Sequence, residues 1–316
     1  MTGFILRRLA QSVVVLLLVS MIVFTMLHEL PGGAARAVLG ERATNTSIAE
    51  FNRQNGFDKP FPVQYWDWLK RTAHGDLGFS YKQNESVTDL LRERIPKTTL
   101  LAGISVLLAV LLSIPLGFLQ ALRRNKPVDY VATAATFVFY STPAFWLALV
   151  LITLFAIQWH VFPAQAPQGS ISTIVSQPRG LVLPVLTITL VSVAFFSRYV
   201  RSSALENLLQ DYVRTARAKG ASTRRVVLRH VLRNTLVPVV TLVGISLPFV
   251  FSGTLISESI FNYPGMGLLF FNAAVARDYP VLLGVVLVVS AAAVLGSLIA
   301  DVCYALLDPR VRYTRS

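Results

Sequence analysis

Long stretches with almost no charged residue recur along this chain, and they constrain its fold more than any other feature. Crossing a hydrocarbon core about 30 Å thick takes roughly 20 predominantly apolar residues in a helix. Six stretches approach or exceed that length, and we predict that each forms one transmembrane helix of an all-α integral membrane protein. The six are Leu9–His28, Thr98–Leu122, Tyr130–Trp159, Gly180–Ser197, Asn234–Ser257 and Tyr279–Leu307.

Composition and charge agree with a membrane protein and set its orientation. Of the 316 residues, 54% are hydrophobic and 14% are charged, against about 45–50% and about 25% in a soluble domain. With the N-terminus inside, the inner segments hold 17 basic and five acidic residues, and the outer segments hold 12 and 11. Cytoplasmic loops carry such an excess of Lys and Arg. The distribution of the basic residues therefore predicts that both termini are cytoplasmic. The net charge of +13 is explained by a protein in a lipid bilayer and does not indicate a nucleic-acid partner.

The spans divide the chain into four segments. Residues 1–30 hold the first span, and residues 31–97 form an extracytoplasmic loop large enough for a small helical subdomain. Residues 98–308 are the membrane core with five spans and a cytoplasmic loop at 199–233, and residues 309–316 are a cytoplasmic tail. Ser259–Ala276 is also uncharged, but turn-forming residues break it near its start, so we predict a re-entrant or interfacial element.

The cytoplasmic loop has a pattern of its own. Its residues favour a helix from Leu205 to Lys219, after which Gly220 is placed to end that helix in a left-handed conformation. Ser222 can then cap a second helix. These features predict two short helices joined by a tight turn, with a cationic surface. The alternative is a solvated basic loop that only sets the topology.

The same loop resembles a known family. Arg214-Thr215-Ala216-x-x-x-Gly220 stands where the membrane subunits of ABC importers have Glu-Ala-Ala-x-x-x-Gly. The run from Asp211 to Pro238 is similar to the dipeptide, oligopeptide and nickel permease branch of that family. The loop departs from the family pattern at Arg214 and Thr215, and Pro31-Gly-Gly replaces the Pro-Gly-Asp-Pro that is common in the branch. Further similar segments, in order, are Ile5–Leu9, Gly56–Pro60, Gly75–Gly78, Glu258–Gly265, Arg277–Pro280 and Asp308–Tyr313.

The resemblance implies a type I ABC importer permease fold in the cytoplasmic membrane of a prokaryote. Such a subunit pairs with a second homologous permease around a path for short peptides, and an extracytoplasmic solute-binding protein docks outside. Two ATP-binding cassette subunits bind ATP and Mg²⁺, so this chain is expected to bind no cofactor or metal and to catalyse no reaction. The expected ATPase-coupling residues are Asp211, Arg214, Thr215, Ala216, Lys219, Gly220, Ser222, Arg224 and Arg225, with Arg217 beside them.

Two further groups of residues are candidates for contact with substrate or partners. Polar and aromatic residues interrupt the third span, where they either line the translocation path or mark an ordinary proline kink. Asp301 is an acidic residue inside the last span, where it is expected to cap, pair or contact a partner. The path candidates are Tyr140, Ser141, Pro143, Phe145 and Ser252, with Thr142 and Trp146 adjoining, and the candidate contacts for the binding protein are Glu258, Tyr263 and Pro264.

Other functions remain open on the sequence alone. The same architecture can import nickel, haem or another small solute, although the four histidines are scattered without ligand spacing. An ion-driven secondary transporter needs several buried ionisable groups at mid-membrane depth, and the spans hold almost none. A membrane-embedded enzyme lacks a supporting motif. Within the loop, replacing Arg201 is expected to matter less than replacing Gly220.

Overall fold

The structure is a computed structural model that describes residues 2–28, 35–36, 39 and 42–307. Some side chains within its helices, including those of residues 245–253 and 300–307, are not part of that description. The side chains of Ser252 and Asp301, the Pro31-Gly-Gly segment and the tail from residue 308 onward therefore lie outside the described residues.

The described part of the chain folds into helices and one short hairpin. Helix α6 continues into a π-helical turn at Ile152–Gln158, helix α10 into another at Val227–Val231, and a 3₁₀ turn at Pro178–Leu181 precedes α8. The strands β1 (Phe79–Ser80) and β2 (Glu85–Ser86) pair antiparallel. The helices are α1 Thr2–His28, α2 Asn45–Asn55, α3 Phe61–Ala73, α4 Val87–Leu122, α5 Pro127–Ser141, α6 Ala144–Leu151, α7 Ile171–Ser176, α8 Val182–Leu208, α9 Asp211–Ala218, α10 Thr223–Val226, α11 Leu232–Ile260, α12 Met266–Ala276 and α13 Tyr279–Leu307.

Four of the described helices are long and apolar enough to cross a membrane, over Arg7–Met26, Val87–Leu122, Pro178–Leu208 and Tyr279–Ile299. The pair α5 and α6 makes a fifth crossing if the two are counted together, although they meet at an angle of 104°. Helix α11 has 29 residues, but many of its side chains lie outside the described set. The structure thus supports four to five crossings and leaves the count of six as a prediction.

The third predicted span, Tyr130–Trp159, forms two helices, and the break falls among the polar and aromatic residues that interrupt this span in the sequence. Helix α5 ends at Ser141, and Thr142 is extended with ψ of 124°. Proline disfavours helical backbone in the residue before it, and Pro143 also supplies no N–H to the preceding turn. Both effects act at this one point and end α5 there.

Two other expectations about the loops stay predictions, and the helices described there agree with them. Helix α12 has 11 residues, a length of about 16 Å at 1.5 Å per residue, which is too short to cross the membrane. The segment 31–97 is helical in its described part, since it contains α2, α3 and the first turns of α4 around the small hairpin.

The chain divides into two compact units. The first comprises residues 1–99 and 264–294, and the second comprises residues 100–263 and 295–316. This grouping cuts across the predicted 98–308 segment, because α12 and the first half of α13 belong with the N-terminal residues.

Aromatic and aliphatic packing organises the first unit. Phe24 of α1 stands 5.5 Å, centroid to centroid, from the rings of Tyr65 and Trp68 on α3. A separate apolar core joins the starts of α4 and α13 to α12, and it comprises Val87, Leu90, Leu91, Met266, Leu269, Ala273, Tyr279, Val281, Leu282 and Val285.

Hydrogen bonds between buried polar groups also connect the elements of the first unit. The N–H of Met266 donates to Thr98 Oγ1 at 2.8 Å. The hydroxyl of Ser80 donates to the carboxyl of Asp278, and both side chains are buried. Burial raises the pKa of Asp278, and the hydrogen bond from Ser80 opposes that shift. A cavity of about 700 Å³ in this unit is lined by aromatic and basic residues of α2, α3 and the hairpin.

The second unit has its core around α8. One apolar cluster joins α8 to α6 through Leu147, Ala148 and Leu151. Gly117 of α4 packs against α8 so closely that an added Cβ would lie 2.6 Å from Cβ of Val200. Another cluster joins α8 to the loop 199–233.

Candidate functional site

A left-handed glycine ends helix α9 in the loop 199–233, which confirms the conformation predicted for Gly220. Its φ is +79°. Its N–H donates to the carbonyl of Arg217 at 2.9 Å, and the N–H of Ala221 donates to the carbonyl of Ala216 at 3.1 Å. These two bonds form a Schellman cap. Nothing lies within 4 Å of the position that a Cβ would take at Gly220, so the need for glycine is conformational rather than steric.

The helix before this turn is shorter than predicted. The expectation of one helix over Leu205–Lys219 is wrong, because α8 ends at Leu208 and α9 begins at Asp211. The hydroxyl of Tyr212 donates to Asn207 Oδ1 at 2.8 Å across the break. Because asparagine and aspartate side chains compete with helical hydrogen bonding, their positions here favour a helix end and a new helix start.

The apolar face of α9 is anchored in the second unit. Val213 is buried, and Tyr212, Ala216 and Ala221 are partly buried beside it. Burying one valine side chain contributes about 1.5–3 kcal/mol, so this contact resists separation of α9 from the long helices. The buried cluster comprises Phe118 and Ala121 of α4, Val200 and Ala204 of α8, Val213, Val226, Val227, Val231 and Val239.

The opposite face of the loop is exposed and cationic. Ser222 takes the extended N-cap position before α10, as predicted, but its side chain forms no capping hydrogen bond. Ala216 is the one predicted coupling residue of α9 that is partly buried. The exposed residues are Asp211, Arg214, Thr215, Arg217, Lys219, Gly220, Ser222, Arg224 and Arg225.

A shallow groove of about 550 Å³ lies beside α10. Its lining is basic around one apolar side chain, that of Leu228, which is 56% exposed. A groove of this kind suits a partner that offers acidic and apolar groups together. The lining residues are Ser222, Arg224, Arg225, Leu228 and Arg229.

Arg201 has a role that the sequence does not reveal. Its Nε and Nη2 donate to the two carboxylate oxygens of Asp129 at 3.0 and 2.9 Å. The Asp129 carboxylate also accepts from the N–H of Asn125 at 3.0 Å, and its side chain is only 3% exposed. The expectation that replacing Arg201 matters less than replacing Gly220 stays a prediction, but Arg201 is not a neutral control, because removing its guanidinium leaves a buried carboxylate without its counter-charge.

The corner between α5 and α6 brings together most of the predicted path residues. Tyr140, Ser141, Pro143 and Phe145 are all exposed around it, and Trp146 adjoins them. Each arm has 15 residues, about 22 Å at 1.5 Å per residue, so neither arm alone crosses a membrane about 30 Å thick. The bend is far sharper than an ordinary proline kink.

One charged residue stands next to this corner, and sequence reasoning missed it. The guanidinium carbon of Arg198 on α8 lies 5.1 Å from the centroid of the Tyr140 ring. Charge counting treats Arg198 only as one of the inner basic residues, the first after the fourth span, which ends at Ser197. Helix α8 continues past Ser197 to Leu208, so Arg198 lies inside a helix, and nothing in the sequence pairs it with Tyr140.

The three candidate contacts for a binding protein are packed inside the protein. Glu258, Tyr263 and Pro264 are all buried, and the N–H of Tyr263 donates to the carbonyl of Glu258 at 2.8 Å. The turn that holds them includes Asn262 with φ of +50°. Contact with a binding protein stays a prediction, and it requires these side chains to become exposed.

Long apolar helices, a broken span and an exposed cationic loop anchored to the membrane helices define a transport subunit. The chain belongs to the family of binding-protein-dependent transport system inner membrane components, whose model matches residues 113–313. The N-terminal model of the same membrane components matches residues 1–102. The protein is therefore an inner membrane component of an ABC transport system.

Individual relatives match along their whole length. The oligopeptide transport system permease protein AppB of Bacillus subtilis (strain 168) is 35% identical over 320 residues, which cover 99% of this chain and 100% of that protein. The glutathione transport system permease protein GsiC of Salmonella choleraesuis (strain SC-B67) is 35% identical over 313 residues, with the same coverage.

A solved structure supports the fold. The inward-facing MetNI methionine ABC transporter aligns with a TM-score of 0.54 at 17% identity, over 69% of this chain and 96% of the matched chain. At this level of identity the likeness concerns the helical importer fold alone.

Proposed function

We propose that this chain is one half of the translocation path of an importer for short peptides. It has six transmembrane helices and cytoplasmic termini, and it pairs with a second homologous permease. Two ATPase subunits, which hold ATP and Mg²⁺, bind the cytoplasmic loop, and an extracytoplasmic solute-binding protein delivers the peptide. The chain itself hydrolyses no ATP.

The full-length similarity to permease proteins for oligopeptides and glutathione carries the peptide assignment. Glutathione is itself a small peptide, so both relatives point to one chemical class. Import of nickel, haem or another small solute by the same architecture is the alternative, and no arrangement among the described residues favours it.

The cytoplasmic loop supports the coupling role. Its exposed face is cationic, and its buried face belongs to the same cluster as residues of α4 and α8. A push by an ATPase subunit on α9 therefore reaches the membrane helices through direct packing. The Schellman cap at Gly220 fixes the angle at which α10 follows α9, so the loop moves as a lever and not as a flexible linker.

The topology has a direct test by cysteine labelling. In a Cys303→Ala background, Lys82→Cys in the hairpin and Ser222→Cys in the loop are expected to react with a membrane-impermeant reagent from opposite sides of the membrane. Lys82 is exposed, whereas the neighbouring Asn84 has φ of +55°, a conformation that is less tolerant of cysteine. Labelling of both positions from the same side would refute the six-span orientation.

The function is tested by reconstitution with purified partners. The chain alone in vesicles is expected to show neither uptake nor ATP hydrolysis. Adding the second permease, the ATPase subunits and the binding protein is expected to give ATP-dependent uptake of radiolabelled trialanine. Uptake by the chain alone under an ion gradient would instead establish a secondary transporter, and uptake of Ni²⁺ or haem without peptide by the full complex would establish the alternative substrate.

A further inference from the structure

Two arginines one helical turn apart on α8 differ in whether a carboxylate neutralises their charge. Arg201 is neutralised by Asp129 through two hydrogen bonds. Arg198 stacks on the ring of Tyr140, and within residues 42–307 as described it forms no ion pair with a carboxylate. An aromatic ring attracts a guanidinium but does not cancel its charge. Arg198 therefore keeps its edge N–H groups available to an anion.

The two guanidinium groups also reach opposite ends of α5. Asp129 is the third residue of that helix and Tyr140 is the last but one. Their positions are 11 residues apart, which corresponds to about 16 Å along the helix axis. Arg198 is therefore directed away from the end of α5 that follows the basic segment Arg123–Lys126, and it does not extend toward lipid headgroups at that end.

The surroundings of Arg198 are unfavourable for contact with lipid and suit contact with water or protein. Its guanidinium lies at the end of α5 where the backbone turns by 104° into α6. Both an exposed arginine and an interrupted helix are unfavourable against hydrocarbon and are tolerated where they face water or protein. Tyr140 and Phe145, which flank the turn, are 47% and 51% exposed. In the proposed transporter, the translocation path supplies such an environment of water and protein.

We infer that Arg198, held against Tyr140, is a binding site for the C-terminal carboxylate of a peptide inside the translocation path. This inference rests on the proposed function. A planar guanidinium pairs with a carboxylate through two parallel N–H donors, and the side chain of Arg198 is exposed with its guanidinium carbon 5.1 Å from the centroid of the Tyr140 ring. A single such contact binds weakly enough to release the peptide again, as transport requires.

The test compares trialanine with its C-terminal amide in the reconstituted complex. The binding protein is first saturated with each compound, so that its own selectivity does not enter the uptake rate. Arg198→Gln is expected to slow uptake of the free acid by about tenfold, as loss of a charge-assisted hydrogen bond predicts, and to change uptake of the amide less than twofold. Arg198→Lys is expected to keep part of the preference for the free acid over the amide, because the positive charge stays but the planar guanidinium is lost.

Two controls separate recognition from structural damage. Arg123→Gln, an exposed arginine in the loop before α5, is expected to leave both uptake rates unchanged. ATP hydrolysis stimulated by the binding protein is expected to stay within twofold of wild type in Arg198→Gln. Equal loss for the acid and the amide, or no loss for either, would overturn the assignment of Arg198. Absence of uptake of both compounds by the wild-type complex would refute the proposed function itself.

Discussion

Gly220→Val is expected to reduce substrate uptake by the assembled transporter about 5–30-fold, the factor that corresponds to one or two kcal/mol. A side chain with a Cβ in the left-handed conformation costs about 1–2 kcal/mol. The φ of +79° at Gly220 imposes this cost on valine, although there is space around the position. The strain removes the two capping bonds and changes the direction in which α10 leaves α9. Uptake and ATP hydrolysis stimulated by the binding protein are the measurements.

Two variants separate coupling from general strain. Gly220→Asn is expected to retain most uptake, because asparagine enters the left-handed region more readily than other residues with a side chain. Gly75→Val is the matched control, since Gly75 has φ of +85°, has no atom within 4 Å of its missing Cβ, and also follows a helix. It lies in the first unit, whereas the loop belongs to the second. Normal uptake by Gly220→Val, or an equal loss in Gly75→Val, would show that the loop is not the coupling element.

The sequence predicted those features that depend on local chemistry. Gly220 is one of them, because the φ needed at a helix end selects glycine whatever the rest of the fold does. The short length of α12 is another, since Pro264 and Gly265 interrupt the apolar stretch before it. The long helices followed from hydropathy, although α4 and α8 extend beyond the apolar residues by which they were predicted.

Features that depend on contacts between distant residues were not predictable. Pro143 marked a break, but the angle of 104° also reflects how α6 packs against α8 through Leu147 and Leu151. Charge counting placed Asp129 and Arg201 on the same side of the membrane, yet it had no means of pairing residues 72 positions apart. The contact between Tyr140 and Arg198 was missed for the same reason.

Arg201→Gln is expected to lower the free energy of unfolding of the subunit by ~3 kcal/mol, as breaking a buried ion pair does. Stability is lost because the partner that remains is the more buried one. The Asp129 side chain is 3% exposed, whereas the Arg201 side chain is 31% exposed. Without Arg201, the carboxylate keeps the N–H of Asn125 and the hydroxyl of Thr133, but no described cation neutralises it. Denaturant titration of the purified chain in detergent, followed by tryptophan fluorescence, measures the change.

Replacing Asp129 instead of Arg201 is expected to lower the free energy of unfolding by less. In Asp129→Asn, the amide oxygen still accepts from the N–H of Asn125, and the unpaired Arg201 can reach water. The double variant Arg201→Gln with Asp129→Asn is expected to be more stable than Arg201→Gln alone, because it removes the buried charge. Arg214→Gln is the control: its pairing with Asp211 at 3.5 Å is exposed on both sides, and such pairs contribute little. Equal losses in Arg201→Gln and Asp129→Asn that add in the double variant would contradict the ion pair, because independent sites add and coupled ones do not.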